Sequence, residues 1–384
     1  MPATIRDVAN RAGVSVATVS RLLNGTGRVG PDAAARVQAA VAELGFRPNG
    51  MGRSLKSRRS RLIGVMIPSL GNPVFADAVA GIEAEARAAG FTLLFGVSNY
   101  DAAEEQRAVE ALLAYRVDGM ILTVAAPATS PALDSLDQAG LPHVLIYNQP
   151  APTRAVPTVT VDNVAAGRAV ALHMVALGHR RLGMITGALG GSDRAAARLA
   201  GFLDGARASG LPRPCVHEVD FEAPDPDAAL KAFASGPDGL PTALFCSNDW
   251  LAIATIGALT RQGLSVPGDV SVFGFDGIAL GAHLNPPLAT VVQPSRAMGG
   301  IAARHLIALM TADGDRPAPG SAPPGSAPGH HLLPFTLRPA GSAGPVCFTR
   351  PTPSMAPVET TGNAAKQAPA ASPVADLDLS TRTS

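Results

Sequence analysis

Two stretches constrain the architecture more than any other feature of the 384-residue chain. SRLIGVMIPS at residues 60–69 and RRLGMITGA at 180–188 are two versions of one opening: a basic residue, then an apolar run of buried-strand length. Each begins a series in which such runs alternate with amphipathic segments. After the first come a helix over about 73–89, FTLLFGVS, a helix over 101–115, then VDGMILTV, PHVLIYN and PTVTVD as strands. After the second come a helix over 193–209, CVHEVD, a helix over 227–235, TALFCS, a helix over 249–262 and VSVFGF. Strand–helix alternation of this kind means βαβ units and a parallel sheet. The body is therefore predicted to be α/β, with two similar lobes, each a parallel doubly wound sheet. Ligands in such folds bind beyond the carboxyl ends of the strands, so two facing lobes make a cleft.

The rest of the body follows from local composition. A helix is predicted near 295–311, then a Pro/Gly/Ser/Ala linker, then HHLLPFTLRP as one last strand. From 342 to 384 the chain is Pro, Ala, Ser and Thr with little to bury, which predicts a disordered tail.

Ahead of the body lies IRDVANRAGVSVATVSRLLN, residues 5–24. Ile5, Val8, Ala9 and Ala12 form one stripe at helical spacing, with a capping signal from Thr4 and Asp7. Gly13 supplies the left-handed stop, and Ser15 can cap a second helix whose inner stripe is Val19, Leu22 and Leu23. A third helix runs from about Asp32 to Leu44. Two short helices joined at a Gly-containing turn make a helix-turn-helix, in an all-α headpiece.

Charge agrees with that assignment. Residues 1–61 carry eleven Lys and Arg against three acids, a balance of +8 in a chain whose total is +1, so the remainder is −7. A basic head on an acidic body calls for a polyanion at the head; the bland alternative is a solvated charged face. On the second helix the outward residues are Val16, Ala17, Ser20, Arg21 and Asn24. Arg21 can fork onto a guanine edge, while Val16 and Ala17 offer apolar contact to a thymine methyl. Thr4, Ser15, Thr18 and Asn24 can hold phosphates. Residues 47–60, RPNGMGRSLKSRRS, are basic and interrupted by two glycines: a bare linker, or a short helix that forms only when something holds it.

Other classes are disfavoured. Cys215, Cys246 and Cys347 fit neither a metal spacing nor a disulfide framework, which points to a reducing cytosol. Arg6 and Asp7 stand where a secretory signal would begin its apolar run, and no apolar run is long enough to span a bilayer. His143, His173, His179 and the His330–His331 pair show no metal spacing, and His179 is read as structural. GALGGSD at 187–193 lacks a phosphate-loop pattern, and no nucleophile–base set stands out, so no cofactor and no enzymatic reaction are expected.

TIRDVANRAGVSVATVSRLLNG, a following helix ending LGFRPN, and the two-lobed body together resemble the LacI/GalR family of bacterial repressors, whose bodies are similar to periplasmic sugar-binding proteins. The resemblance covers residues 4 to about 340. It implies a homodimer, with a tetramer as the larger alternative, on a near-palindromic operator in the cytoplasm. It places Val16, Ala17 and Arg21 on bases, and PNGMGRSL on a hinge helix that folds on operator. From that hinge Arg53 and Leu55 join the DNA-binding set, Leu55 as a minor-groove wedge. The domains are then a headpiece at 1–47, a hinge at 48–60, a ligand-binding and dimerisation body at 61–341, and the tail at 342–384.

At the strand ends stand polar and aromatic candidates for the cleft: Asn72, Phe75, Tyr147, Asn148, Arg194, Arg198, Phe221, Asn248, Asp249, Asp276 and Gln293. Each has a plainer role open to it. Asn248 and Asp249 could cap a helix, Phe75 could be core, and Arg198 could be surface charge. An arginine with two aspartates suits a polyol, with an aromatic face against the apolar side of a sugar ring. The resemblance places Phe75, Arg198, Asn248 and Asp276 on the effector pocket, and there Tyr147 replaces what is more often Asp. The effector is then a sugar, or a sugar acid or sugar phosphate with Arg194 or Arg198 on the anion; a purine ranks below these. The rival functions, a solute-binding protein and a sugar-modifying enzyme, lack export and catalytic signals respectively.

One departure from the family pattern yields a test. Gly52 stands where the family usually has Ala, with Gly50 just before it. Each glycine costs a helix about 1 kcal/mol relative to alanine. Gly52→Ala should therefore tighten operator binding; an unchanged affinity in a titration would remove the hinge argument.

Overall fold

The computed structural model describes residues 3–24, 27–46, 60–311 and 329–346. The hinge at 48–59, with Arg53, Leu55 and Gly52, lies outside the described residues, as do the linker, Cys347 and the rest of the tail.

The headpiece is three helices: α1 (Ile5–Ala12), α2 (Val16–Asn24) and α3 (Pro31–Glu43). Thr4 and Asp7 form a reciprocal capping box at the start of α1, and Gly13 ends it at φ 63°. Val8, Ala9, Ala12, Val19, Val37 and Ala40 make a small buried core. A bidentate Arg11–Glu43 pair, at 2.8 and 3.0 Å, ties α1 to α3 on the surface. With so few apolar residues, caps weigh heavily: each contributes about 1 kcal/mol.

The body holds two six-stranded sheets of the same strand order. The first contains β1 (Leu62–Ile67), β2 (Thr92–Val97), β3 (Gly119–Leu122), β4 (His143–Ile146), β5 (Thr158–Val161) and β11 (His331–Leu333), ordered β2-β1-β3-β4-β5-β11. The second contains β6 (Leu182–Gly187), β7 (Cys215–Val219), β8 (Ala243–Cys246), β9 (Ser271–Asp276), β10 (Ala289–Val292) and β12 (Thr336–Arg338), ordered β7-β6-β8-β9-β10-β12. The central strands are buried on both faces, as helix-covered parallel sheets require. The helices of the body are α4 (Pro73–Ala88), α5 (Ala102–Ala114), α6 (Pro131–Ala139), α7 (Asn163–Ala176), α8 (Asp193–Ala208), α9 (Pro226–Ala234), α10 (Asp249–Arg261) and α11 (Ser295–Thr311).

Three expectations need correction. HHLLPFTLRP is two strands, not one. β11 joins the first sheet in parallel, and β12 joins the second antiparallel to β10, so the chain changes lobes at Pro334–Phe335. A proline between two three-residue strands makes the switch, since it removes a ladder donor. Second, α6 and α7 escape the sequence reading. The first is short, and the second, NVAAGRAVALHMVA, has alanine and glycine around most of its surface rather than one clean stripe. Third, the body runs past 341. Ser342 is fully buried, accepting from Ala289 N at 2.8 Å and donating to the Val272 carbonyl at 2.7 Å. His179 Nε2 donates to the Gly344 carbonyl at 3.0 Å while Nδ1 shares a 3.0 Å hydrogen bond with Thr242, a structural role for that histidine.

The helices that flank the sheets touch backbone to backbone. A Cβ at Gly201 on α8 would fall 1.9 Å from the Val164 carbonyl oxygen on α7, and one at Gly81 on α4 would fall 2.0 Å from the Arg296 carbonyl on α11. Neither backbone can yield without moving its helix. Gly201→Ala should therefore cost about 2 kcal/mol or more by overpacking, read as a lowered urea midpoint. Gly190→Ala, with nothing within 4 Å of the new Cβ, should stay within about 0.5 kcal/mol of the parent.

Candidate functional site: an interlobe pocket and a helix-turn-helix face

Asp276 is the last residue of β9, held at φ 123° and 5% exposed. Few non-glycine residues adopt that conformation, and where it occurs the surroundings impose it. Three groups converge on its carboxylate. Gln293 Nε2, just after β10, donates at 2.8 Å; Asn72 Nδ2, from the first lobe, donates at 3.4 Å; Arg198 Nη2 lies at 4.0 Å. Burial pushes the Asp276 carboxyl up to about 6, against the pull of Arg198 and the two amides.

Arg198 and Arg194 sit one turn apart on α8, so they share a face. The Arg198 guanidinium lies 3.4 Å over the Phe275 ring, and donates to Asn163 Oδ1 at 2.8 Å and to the Ser247 carbonyl at 2.5 Å. Burial lowers its pKa to about 10, which still leaves it charged. Arg194 pairs with Asp193 at 3.1 Å and donates to the Val124 carbonyl across the lobes at 3.1 Å. Asp193 clasps the first lobe from the other side, accepting from Gln149 N at 2.7 Å and Asn148 Nδ2 at 2.9 Å.

The first lobe contributes helix-start and strand-end residues. Asn72 caps α4, its Oδ1 accepting from Val74 N at 3.2 Å. Phe75, in the first turn, meets Tyr147 edge to face at 5.6 Å, and the Tyr147 hydroxyl donates to the Val74 carbonyl at 2.9 Å. Tyr147 directly follows β4 and sits at φ 70°. Tyr100, after β2, reaches across to stack on Phe221.

These groups enclose a cavity of about 350 Å³, open water at its mouth included. Asn72, Phe75, Tyr147, Arg194, Arg198, Phe221, Asn248, Asp276 and Gln293 line it. Asn148 and Asp249 do not. Asn148 is fully buried behind the wall, accepting from Val124 N at 3.0 Å and donating to Val124 O at 2.7 Å. Asp249 is also fully buried, with Thr290, Gly277 N and Ile278 N donating to it at 2.5, 2.8 and 2.8 Å. Burial, with the nearby Asp276 charge, raises it to about 7. It holds the loop after β9 and so sets where Asp276 points. Tyr100, Ser192 and Ser247 also line the cavity and were missed. Ser192 caps α8 and Ser247 follows β8, both strand-end signals of the kind that singled out Asn248. Tyr100 lies in an ordinary-looking SNYD turn.

At the headpiece, Ser15, Val16, Ala17 and Arg21 are exposed, Thr18 and Ser20 are half-buried, and Val19 is inward on α2. Thr4 is occupied by the capping box, and Ser15 Oγ accepts from Thr18 N at 3.1 Å and bonds the Thr18 hydroxyl at 2.9 Å. Hydroxyls so placed have lone pairs already engaged, so Thr4 and Ser15 act first as helix caps. Asn24 is the last residue of α2. The exposed row Val16, Ala17, Arg21 runs along one helix face.

Among the described residues no helix is long and apolar enough to cross a membrane, and no three His, Cys, Asp or Glu side chains gather as metal ligands.

Residues 4–49 match the family described as bacterial regulatory proteins, lacI family, and residues 171–329 match the periplasmic binding protein-like domain. The HTH-type transcriptional repressor CytR of Escherichia coli (strain K12) is 33% identical over 299 residues, 77% of this chain and 86% of that protein. The lac repressor dimer bound to operator and the anti-inducer ONPF has the same fold, with a TM-score of 0.74 at 28% identity over 90% of this chain and 100% of that one. The transcriptional regulator CelR in complex with cellobiose gives a TM-score of 0.63 at 28% identity, over 89% of this chain and 100% of that one. These relatives are transcription regulators and not enzymes. The chain belongs to the LacI family of bacterial regulatory proteins and is a DNA-binding transcriptional repressor.

Proposed function

We propose that the protein binds a near-palindromic operator as a homodimer in the cytoplasm, and that a small carbohydrate-like effector in the interlobe cleft controls that binding. One observation carries the effector half: the Asp276 carboxylate gathers Asn72 of one lobe, Arg198 of the other and Gln293 at their crossover in the wall of one cavity. A ligand that takes hydrogen bonds from those groups changes how the lobes are joined. In a dimer that alters the spacing of the two hinges, assigned to residues 48–60. The headpiece assignment, 1–47, rests on the exposed Val16–Ala17–Arg21 row and the basic balance of that segment. The lac repressor, a dimer on its operator, and CelR, with its cellobiose, support both halves by likeness. Within the body, Arg194, Arg198, Asn248, Asp276, Asn72 and Gln293 are the polar ligand contacts, and Phe75, Tyr147 and Phe221 the apolar ones.

Operator affinity should fall steeply with salt, because phosphate contacts release counterions. Arg21→Ala should lose about 1–3 kcal/mol of discrimination against the mismatched base pair, measured by anisotropy on matched and substituted operators. Equal losses on both duplexes would make Arg21 a phosphate contact.

For the cleft, Asp276→Asn should weaken effector binding by about tenfold or more, because a site built to hydrogen-bond a ligand is left with unpaired partners. Binding should also weaken from about pH 7 to about pH 5, as Asp276, held near 6, takes up a proton and loses its charge. A flat pH profile by calorimetry would contradict a charged Asp276 as ligand acceptor.

A further inference from the structure

His331 opens β11, and the ring that faces it is His305 on α11, 26 positions earlier in the chain and across the Pro/Gly linker. That separation is why the His330–His331 pair shows no metal spacing in the sequence. In the fold, Nδ1 of His305 and Nε2 of His331 stand 3.3 Å apart, with ring centroids 5.5 Å apart and ring planes at 85°. Neither histidine lines the interlobe pocket.

The spacing suits an ion better than a shared proton. An N–H donor usually sits about 2.7–3.2 Å from its acceptor, and this pair lies beyond that range. Two nitrogens bound at about 2.0–2.1 Å to one tetrahedral zinc ion stand about 3.3–3.4 Å apart. Rings set nearly perpendicular can each bring one nitrogen to a common point without their edges meeting. The His305 ring is also held in place: a Cβ at Gly329 would fall 2.5 Å from its Cε1, so a bare glycine lets the returning chain close over that ring. His305 is half-buried and His331 exposed, so an ion reaches the pair from water.

Each neutral imidazole has one nitrogen that carries a proton and one that accepts. With an ion between them, both facing nitrogens are bare and both protons sit on the far nitrogens. That is a tautomer change in one ring, with no net loss of a proton. Imidazole ligands suit zinc, copper and nickel, whereas magnesium and calcium take oxygen.

We propose that His305 and His331 form a binding site for a divalent transition-metal ion of the zinc class. The protein supplies two ligands and water the rest, so the ion exchanges, unlike one locked in a four-ligand structural site. Its effect is mechanical. β11 is an edge strand held by a three-residue register with β5, and the chain crosses to the other lobe directly after it, at Pro334–Phe335. An ion shared with α11 closes the chain between 305 and 331 and fastens that strand to the first lobe, which stabilises the folded state.

The test is calorimetry of zinc chloride, with magnesium chloride for comparison, into the full chain stripped of metal by a chelator. It is run at about pH 7.5, where imidazoles are neutral. His305→Gln, His331→Gln and His330→Ala stand beside the parent; glutamine keeps the size and hydrogen bonding of the ring it replaces and removes the ligating nitrogen. The parent should bind one zinc ion at this site and give no heat with magnesium. His305→Gln and His331→Gln should each weaken zinc by about tenfold or more, since even partners beyond the ligands typically contribute that much. Zinc should raise the melting temperature of the parent and not that of His305→Gln. A parent that binds no zinc would leave the pair as a hydrogen bond and overturn the site. Zinc binding that survives His305→Gln, whatever His330→Ala does, would place the ion on other residues and overturn it equally.

Discussion

The Asp276 carboxylate is the point on which the body turns. It is buried, sits at a backbone angle that side chains seldom tolerate, and takes groups from both lobes and from a crossover strand. A buried carboxylate without partners would be strongly destabilising, so its neighbours are obligatory. Asn72 must cap α4 so that its amide can face the other lobe. Arg198 must lie flat on Phe275, and Asp249 must hold the loop behind. Replacing any one of these leaves a buried polar group unpaired. The cleft is therefore a stiff polar junction that a ligand can rearrange.

The headpiece works on the opposite principle. Its core is six small or medium residues, so caps and the Arg11–Glu43 pair carry a large share of its order. Such a unit leaves the face of α2 free of packing duty, with Val16, Ala17 and Arg21 turned to solvent. On the proposed function, the small-cored reader recognises the operator and the interlobe junction responds to the effector.

Much of this could be read from residues alone, and the misses share a cause. Periodicity found most strands of both lobes and the headpiece helices, because those segments bury one face or both, but not β10, whose four residues follow soon after the short 279–283 turn. It failed at α7, where alanine and glycine blur the stripe, and at 331–338, where two three-residue strands look like one. Ser342 looked like tail because a single hydroxyl, buried by two long-range hydrogen bonds, has no local signature. In the pocket, residues at strand ends were legible by topology, which is why Asn72, Arg198, Asn248 and Asp276 fall together. Topology says which end of a strand faces the cleft, not which of two adjacent polar residues turns inward. Asn148 and Asp249, each beside a lining residue, turn away to satisfy backbone groups. Tyr100 was illegible for another reason: its place depends on a partner 121 residues along the chain in the other lobe.

The central claim is that cleft and operator are coupled. Its most direct measurement is a linkage square: operator affinity with and without saturating effector, and effector affinity with and without operator, on the same full-length protein. Thermodynamics requires one coupling factor in both directions, typically about 5–150-fold. Coupling of cleft to operator gives a factor in that range, equal both ways, and lost together with effector binding in Asp276→Asn. A ligand that fills the cleft while operator affinity stays unchanged would contradict it.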